Sequence, residues 1–99
     1  MTEMTLVRVY LTEAEHLLEP LVRQLHDVER VHGLTAYRGI LGFGASGQVH
    51  TSRLVDVKPD LPLVLEFYDT PDRAAMIVEH LKTRVKPAHI IFWNIQTPI

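Results

Sequence analysis

The spacing of apolar residues in the first third of the chain predicts a strand and then a helix. Residues 6–11 are rich in β-branched and aromatic side chains, which favours a strand. Over residues 17–31 apolar positions recur at spacings of one, three and four, which is typical of an amphipathic helix with Pro20 in its first turn. We expect Gly33 to end this helix, because glycine readily adopts the left-handed conformation that closes a helix.

The rest of the chain predicts two more strands, a second helix and a last strand. Residues 35–41 and 61–68 have the composition of a second and a third strand. The sequence Thr70-Pro71-Asp72 favours a helix start, with a hydroxyl cap, proline at the first helical position and an acid in the first turn. Pro87 is expected to stop that helix, and the strongly apolar residues 89–95 predict a last strand.

The resulting order, βαββαβ with a long loop between strands 2 and 3, predicts an α+β, ferredoxin-like fold. In such a fold a four-stranded antiparallel sheet carries both helices on one face. The chain has 99 residues, which leaves room for one compact domain. We therefore expect residues 1–99 to form a single ferredoxin-like domain.

The second face of the predicted sheet is also apolar, although no helix remains to cover it. Leu6 and Tyr10 lie on this face in the first strand, and Val64 and Tyr68 in the third. An aromatic and aliphatic patch of this kind usually marks an interface, so we expect a homo-oligomer built sheet against sheet. Arg8 and Glu66 either pair across this face or form an exposed pair of little energetic consequence.

Composition and charge exclude several classes of function. Ten Lys and Arg residues against twelve Asp and Glu give a formal net charge of -2, which argues against a nucleic-acid partner. The chain has no cysteine, so disulfides, thiolate metal sites and cysteine nucleophiles are excluded. No apolar run is long enough to span a bilayer, and the first residues do not resemble a signal peptide, so we expect a cytoplasmic protein.

A glycine-rich segment follows the second predicted strand and satisfies the pattern G-x-G-x-x-G. As a dinucleotide-binding motif it would have to open a helix, but residues 48–53 favour irregular or β structure. Two interpretations remain. The glycines leave the backbone N–H groups open, which suits close approach of an anion, or the segment is a flexible hairpin without a ligand. The segment reads Gly42-Phe43-Gly44-Ala45-Ser46-Gly47.

Charge patterning around this segment also favours an anion. Residues 31–55 contain no Asp or Glu but include Arg38, His50 and Arg53. A second basic run ends the second predicted helix, where Lys86 and its neighbours either contact a ligand or complement the helix dipole.

The six histidines are scattered, with no pair at the spacing of helical metal ligands, so a metal site is disfavoured. We expect His50 to contact a ligand or anchor the loop, and most of the others to face solvent on helices. Two alternative functions remain open: a cofactor-free monooxygenase with a pocket formed by Trp93, Asn94 and a histidine, and a histidine-based metal-binding trimer.

Residues 38–51, reading RGILGFGASGQVHT, and residues 60–66, reading DLPLVLE, resemble the small prokaryotic PII-like family known as domain of unknown function 190. This resemblance implies a homotrimer similar to PII signal-transduction proteins, with adenine nucleotides in clefts between subunits near the base of the loop. It implies a regulatory protein, not an enzyme, that requires no cofactor and controls a partner such as a membrane transporter or channel.

The resemblance also implies which residues contact the nucleotide. The loop base and the turn after the second helix are expected to contribute Arg38, Gly42, Phe43, Gly44, Ser46, Gly47, His50, Arg53 and Lys86. The glycine-rich phosphate loop that PII proteins place after the second helix has no counterpart here, because Lys86-Pro87-Ala88-His89 stands there. AMP or ADP is therefore favoured over a triphosphate.

Overall fold

The structure, a computed structural model, describes residues 1–51 and 60–99. Six strands and two helices occur in these ranges, joined by short 3-10 turns at Glu13–Glu15 and Pro87–His89. The strands are β1 (Thr2–Thr12), β2 (Gly33–Arg38), β3 (Leu41–Gly42), β4 (His50–Thr51), β5 (Pro62–Asp69) and β6 (Ile90–Thr97). The helices are α1 (Leu18–Arg23), which continues into a π turn at Gln24–Val28, and α2 (Pro71–Leu81).

The main sheet has the predicted ferredoxin-like arrangement. Its four strands lie in the order β2-β5-β1-β6, and every neighbouring pair is antiparallel. Strands β1 and β5 are central, and their register places Arg8 opposite Glu66. Strands β3 and β4 form a separate small hairpin between β2 and β5. The fold class deduced from the order of elements is therefore confirmed.

Both helices pack on one face of the sheet, as the alternation of apolar residues predicts. In β5 the alternating positions Leu63, Leu65, Phe67 and Asp69 are buried, while the residues between them are partly exposed. Burial of apolar surface between the helices and this face is the main stabilising contribution to the fold. The core cluster consists of Val7, Val9, Leu11, Leu21, Leu25, Leu63, Leu65, Phe67, Ala74, Ile77, Leu81 and Val85.

The first helix is shorter than predicted, and Gly33 does not end it. Regular α structure stops at Arg23, a π turn follows, and Arg30 takes the left-handed conformation with a φ of 53°. The Val31 N–H then donates to the Leu25 carbonyl at 3.1 Å, which closes the helical segment. A non-glycine residue thus supplies the closing conformation, and Gly33 is already the first residue of β2.

Gly33 is needed for a different reason, the close approach of an aromatic ring. A Cβ at this position would lie 2.4 Å from the Cε1 atom of Tyr68, its partner across the β2–β5 ladder. The ring of Tyr68 thus occupies the space above the glycine. Because β2 is an edge strand, this contact helps to hold it against β5.

We expect Gly33→Ala to lower the free energy of unfolding by about 1–2 kcal/mol, since the new methyl group displaces the Tyr68 ring. Urea denaturation monitored by circular dichroism measures this change. Gly44→Ala is the matched control, because a Cβ there meets no atom within 4 Å. Equal stability of the two variants would contradict the packing role of Gly33.

The predicted start of the second helix is confirmed, but its end is earlier. The Thr70 hydroxyl accepts from the Arg73 N–H at 3.4 Å, and Pro71 is the first helical residue. The helix ends at Leu81, and residues 82–85 form a turn before Pro87. The basic run at 82–86 therefore lies in the connection to β6, after the last residue of α2.

Candidate functional site

The candidate site lies at one end of the main sheet, where β2 leads into the β3–β4 hairpin. Leu41 pairs with Thr51 and Gly42 with His50, so the glycine-rich segment is held as a hairpin and does not open a helix. The Gly39 N–H donates to the Pro62 carbonyl at 2.7 Å. A Cβ on Gly39 would lie 2.9 Å from the Pro62 ring, so this residue is glycine because the hairpin crosses β5 closely.

The tip of the hairpin is an exposed turn between Gly44 and Gly47. The Gly47 N–H donates to the Gly44 carbonyl at 2.9 Å, and the Ser46 hydroxyl accepts from the Gln48 N–H at 3.3 Å. Gly47 has a φ of +76°, a conformation that residues other than glycine rarely adopt. The neighbouring Phe43 side chain is 71% exposed, so the tip presents an open backbone beside an aromatic ring.

Two cationic or potentially cationic side chains flank this hairpin, and each contacts an acid from another segment. Arg38, at the end of β2, donates through Nε to the Glu13 carboxylate. His50, in β4, lies with Nδ1 3.1 Å from Oδ2 of Asp60. The other carboxylate oxygen of Asp60 accepts the Ala14 N–H at 2.9 Å.

Residues 31–55 contain no acid, but two carboxylates from other parts of the chain contact this segment in the folded protein. Glu13 and Asp60 lie outside residues 31–55 and approach Arg38 and His50 only in the folded chain. The turn that contains Glu13 is itself capped, because the Thr12 N–H donates to the Glu15 carboxylate at 2.7 Å. A Thr-x-x-Glu spacing marks such a turn in a sequence, but it does not reveal which cation the turn approaches.

Two further residues, Lys86 and Arg53, are predicted to contact the ligand. Lys86 is exposed and begins the 3-10 turn before β6, at the same end of the sheet as the hairpin but at the opposite edge. Three strand spacings, or about 14 Å, separate the backbones of β2 and β6 in the sheet. Within one chain Lys86 and Arg38 therefore lie at opposite edges of the sheet. Arg53, the other predicted contact, lies outside the described residues.

The sheet face without helices carries a charged cluster surrounded by aromatic rings. The Arg8 guanidinium contacts Glu66 at 2.6 Å and lies 5.1 Å above the centre of the Trp93 ring. The Tyr37 hydroxyl donates to the same Glu66 oxygen at 2.8 Å, and Arg8 reaches the Tyr10 hydroxyl at 3.5 Å. Arg8 and Glu66 thus pair on this face, with their side chains 30% and 20% exposed.

Hydrogen bonding in this cluster stabilises its charged form. The hydrogen bond from Tyr37, followed by that from Arg8, lowers the pKa of Glu66, and the bond to Glu66 raises the pKa of Tyr37. Hydrogen bonds with Tyr10 and Glu66 raise the pKa of Arg8. Of these two contacts with Arg8, that to Glu66 is much the shorter. The cluster therefore keeps its ion pair through the neutral pH range.

A dependence of stability on acid pH follows from Glu66. Because its pKa is lower in the folded chain, the stabilisation from its ionised form is complete above the ordinary value of 4.5 and is lost as the pH falls through the folded value. We expect Glu66→Gln to be less stable than the wild type by about 1 kcal/mol at pH 7, with a difference that shrinks below pH 4.5.

Urea midpoints from pH 3 to pH 7 measure this difference, and Glu19→Gln at an exposed position of α1 is the control. A gap between wild type and Glu66→Gln that stays constant down to pH 3 would contradict the assignment.

Most histidines other than His50 are exposed, as expected, and three of them also contact a carboxylate. His32 contacts the buried Asp69 at 3.1 Å, His80 contacts the buried Glu29 at 2.8 Å, and His26 contacts its neighbour Asp27 at 2.7 Å. Within residues 1–51 and 60–99, no three His, Asp or Glu side chains converge as a metal site. These histidines thus act in pairs with carboxylates.

The pocket required by the monooxygenase alternative is not formed by the described residues. Successive residues of β6 point to opposite faces, so Trp93 lies beneath the Arg8 guanidinium on the open face and Asn94 lies on the helix face. Asn94 lines a groove of about 440 Å³ between α2 and β6, together with Phe92 and Val78. Trp93 and Asn94 therefore do not line a common pocket, which corrects that expectation.

The sheet order and the position of the hairpin define the class of protein: a ferredoxin-like α+β domain. The model of the family DUF190, described as "Uncharacterized ACR, COG1993", matches residues 4–97. The chain belongs to this family, which confirms the resemblance seen in the sequence.

Solved structures of PII-like proteins have the same fold. The chain is similar to CPII, a nitrogen regulatory PII-like protein from Thiomonas intermedia K12 bound to ADP, AMP and bicarbonate, with a TM-score of 0.74 and 17% identity over 98% of this chain and 90% of that one. A putative PII-like signaling protein from Thermus thermophilus has a TM-score of 0.63 and 20% identity over 95% and 86% of the two chains.

A third similar structure is the divalent ion tolerance protein CutA1 from Ehrlichia chaffeensis, with a TM-score of 0.63 and 9% identity over 100% of this chain and 85% of that one. At these identities the likeness establishes the fold. In the part of the chain that the structure describes, neither helix has the length and apolarity needed to cross a bilayer.

Proposed function

We propose that this protein is a PII-like regulatory protein that binds an adenine nucleotide, AMP or ADP, between the subunits of a homotrimer. The observation that carries the proposal is the position of the glycine hairpin, flanked by Arg38 and His50, at one end of a sheet that matches a PII-like protein bound to ADP and AMP. Guanidinium groups and exposed backbone N–H groups are suited to phosphate oxygens.

The proposed contacts fall into two groups on opposite edges of the sheet. The hairpin edge supplies Arg38, the tip residues and His50, while Lys86 belongs to the β6 edge. A second copy of the chain can bring its β6 edge beside the hairpin, which a single copy cannot do. The proposed nucleotide-binding residues are Arg38, Gly42, Phe43, Gly44, Ser46, Gly47, His50, Arg53 and Lys86.

The open sheet face supports association of the chain with itself. Tyr10, Tyr37, Ile91 and Trp93 are each 39–45% exposed on this face, and they surround the Arg8–Glu66 pair. An apolar and aromatic patch with a satisfied ion pair at its centre resembles a protein interface more than a free surface. A trimer packed through this face would bury these rings.

Binding would act as a switch through the hairpin. A phosphate held by the backbone at the hairpin tip changes the position of that tip, and the exposed Phe43 beside it offers a contact for a partner protein. The partner class that we propose is a membrane transporter or channel, regulated through engagement or release of the hairpin from the cytoplasmic side.

Calorimetric titration of the purified protein with AMP, ADP and ATP tests the proposal, with sedimentation velocity on the same samples. We expect a dissociation constant below millimolar for AMP or ADP, one nucleotide per subunit, and a trimer at micromolar concentration. Absence of binding below millimolar for all three nucleotides, or sedimentation as a monomer, would reject it.

A further inference from the structure

Glu13 and Asp60 contact the two cationic positions of the candidate site in different ways. Glu13 binds the Nε atom of Arg38, so it occupies part of the guanidinium group that a phosphate would contact. Asp60 contacts Nδ1 of His50 at 3.1 Å and thereby fixes the orientation of the imidazole ring. The first carboxylate competes with an anion, whereas the second orients a histidine.

The position of Glu13 is fixed by the fold. Its N–H donates to the Leu61 carbonyl at 3.1 Å, and it begins the 3-10 turn that follows β1. Its side chain is 29% exposed and that of Arg38 is 61% exposed, so the pair lies at the surface, where a ligand can reach it. A surface pair of this kind is weak enough for a phosphate to displace.

We propose that Glu13 is a specificity-determining residue that disfavours highly charged phosphates at the candidate site. This inference rests on the proposed function. A ligand must displace the Glu13 carboxylate from Arg38 and then tolerate its negative charge nearby. Coulomb repulsion grows with the charge of the ligand, so a triphosphate is penalised more than a monophosphate. Glu13 thereby favours AMP and ADP over ATP.

The test replaces Glu13 by glutamine, which keeps the size of the side chain and removes its charge. Calorimetric titrations with AMP, ADP and ATP at low ionic strength compare the variant with the wild type, because salt screens the effect. We expect Glu13→Gln to bind ATP about fivefold more tightly and AMP about twofold more tightly, a gain of about 1 kcal/mol at most.

Glu15→Gln is the matched control. Glu15 lies in the same turn and carries the same charge, but it accepts the Thr12 N–H and does not contact Arg38. We expect its affinities for the three nucleotides to stay within about 1.5-fold of the wild type, since Glu15 does not contact Arg38 and Coulomb energy falls with distance. Thermal unfolding of both variants checks that the turn is intact.

The outcomes separate this inference from the proposed function. A wild type that binds AMP or ADP, with a ratio of ATP to AMP affinity that rises only in Glu13→Gln, supports both. Nucleotide binding with an unchanged ratio in Glu13→Gln, or an equal change in Glu15→Gln, overturns the role of Glu13 alone. No nucleotide binding by the wild type or by either variant overturns both.

Discussion

Asp69→Ala is expected to lower the free energy of unfolding by about 3 kcal/mol, the largest change in stability that we predict for a single polar residue. Asp69 is fully buried at the end of β5, and its Oδ1 atom joins three segments. It accepts the Thr70 N–H at 2.7 Å, Arg73 Nε at 3.1 Å, and contacts Nδ1 of His32 at 3.1 Å. Alanine would leave all three groups without this partner.

We expect the loss of the Asp69 side chain to weaken a neighbouring contact as well. Arg73 also donates to the backbone carbonyl of Glu29 after the π turn, so it links the start of α2 to the end of the first helical segment. Without Asp69 the guanidinium loses one of these two anchors. Among the described residues, Oδ2 of Asp69 has no hydrogen-bond partner, so Oδ1 carries this network.

Urea unfolding at neutral pH measures the effect. Asp72→Ala, at an exposed position in the first turn of α2, is the control and should cost less than about 1 kcal/mol through the helix dipole alone. Asp69→Asn retains the side-chain oxygen and should lie between the two. Similar stabilities of Asp69→Ala and Asp72→Ala would contradict the role assigned to the buried carboxylate.

With the proposed nucleotide site, Arg38→Ala is expected to weaken binding of the nucleotide about thirtyfold, which corresponds to about 2 kcal/mol and is typical of a hydrogen bond to a charged group. Arg38 lies at the end of β2 and is exposed, so its removal should leave the fold intact. The variant also releases Glu13, which would then repel the phosphate without a compensating cation.

Calorimetry with ADP measures the loss, and Arg23→Ala in the last turn of α1 is the control for a change of one positive charge. Arg38→Lys keeps the charge but not the planar guanidinium, so we expect an intermediate affinity. An unchanged affinity in Arg38→Ala, with binding by the wild type established, would exclude this arginine from the site.

The fold could be predicted from the sequence because apolar periodicity and the two helix starts are local signals. The end of the first helix could not be predicted, since local backbone preference favours glycine over arginine in the left-handed conformation. Gly33 is suited to close a helix, yet Arg30 does so, and Gly33 lies in β2, where its lack of a side chain makes room for the Tyr68 ring. The reason for this glycine is a packing contact between residues distant in sequence, which a local pattern does not reveal.

Only part of the candidate site could be predicted from the sequence, because some of its residues are far apart along the chain. Its glycines and cations are close together in the sequence, and the lack of acids in residues 31–55 predicts an anion site that includes Arg38 and His50. Glu13 and Asp60 reach these residues through the sheet topology, which places the turn after β1 beside the start of β5. Tertiary pairing of this kind leaves no spacing pattern from which the acids could have been recognised.

The position of Trp93 has a practical consequence. It is the sole tryptophan of the chain, and its indole stacks under the Arg8 guanidinium on the open face of the sheet. Its fluorescence emission therefore reports the polarity of that face and no other part of the molecule. If the proposed trimer packs through this face, dilution of the unlabelled protein should shift the emission to longer wavelength, which gives an intrinsic optical signal for the dissociation constant of that trimer.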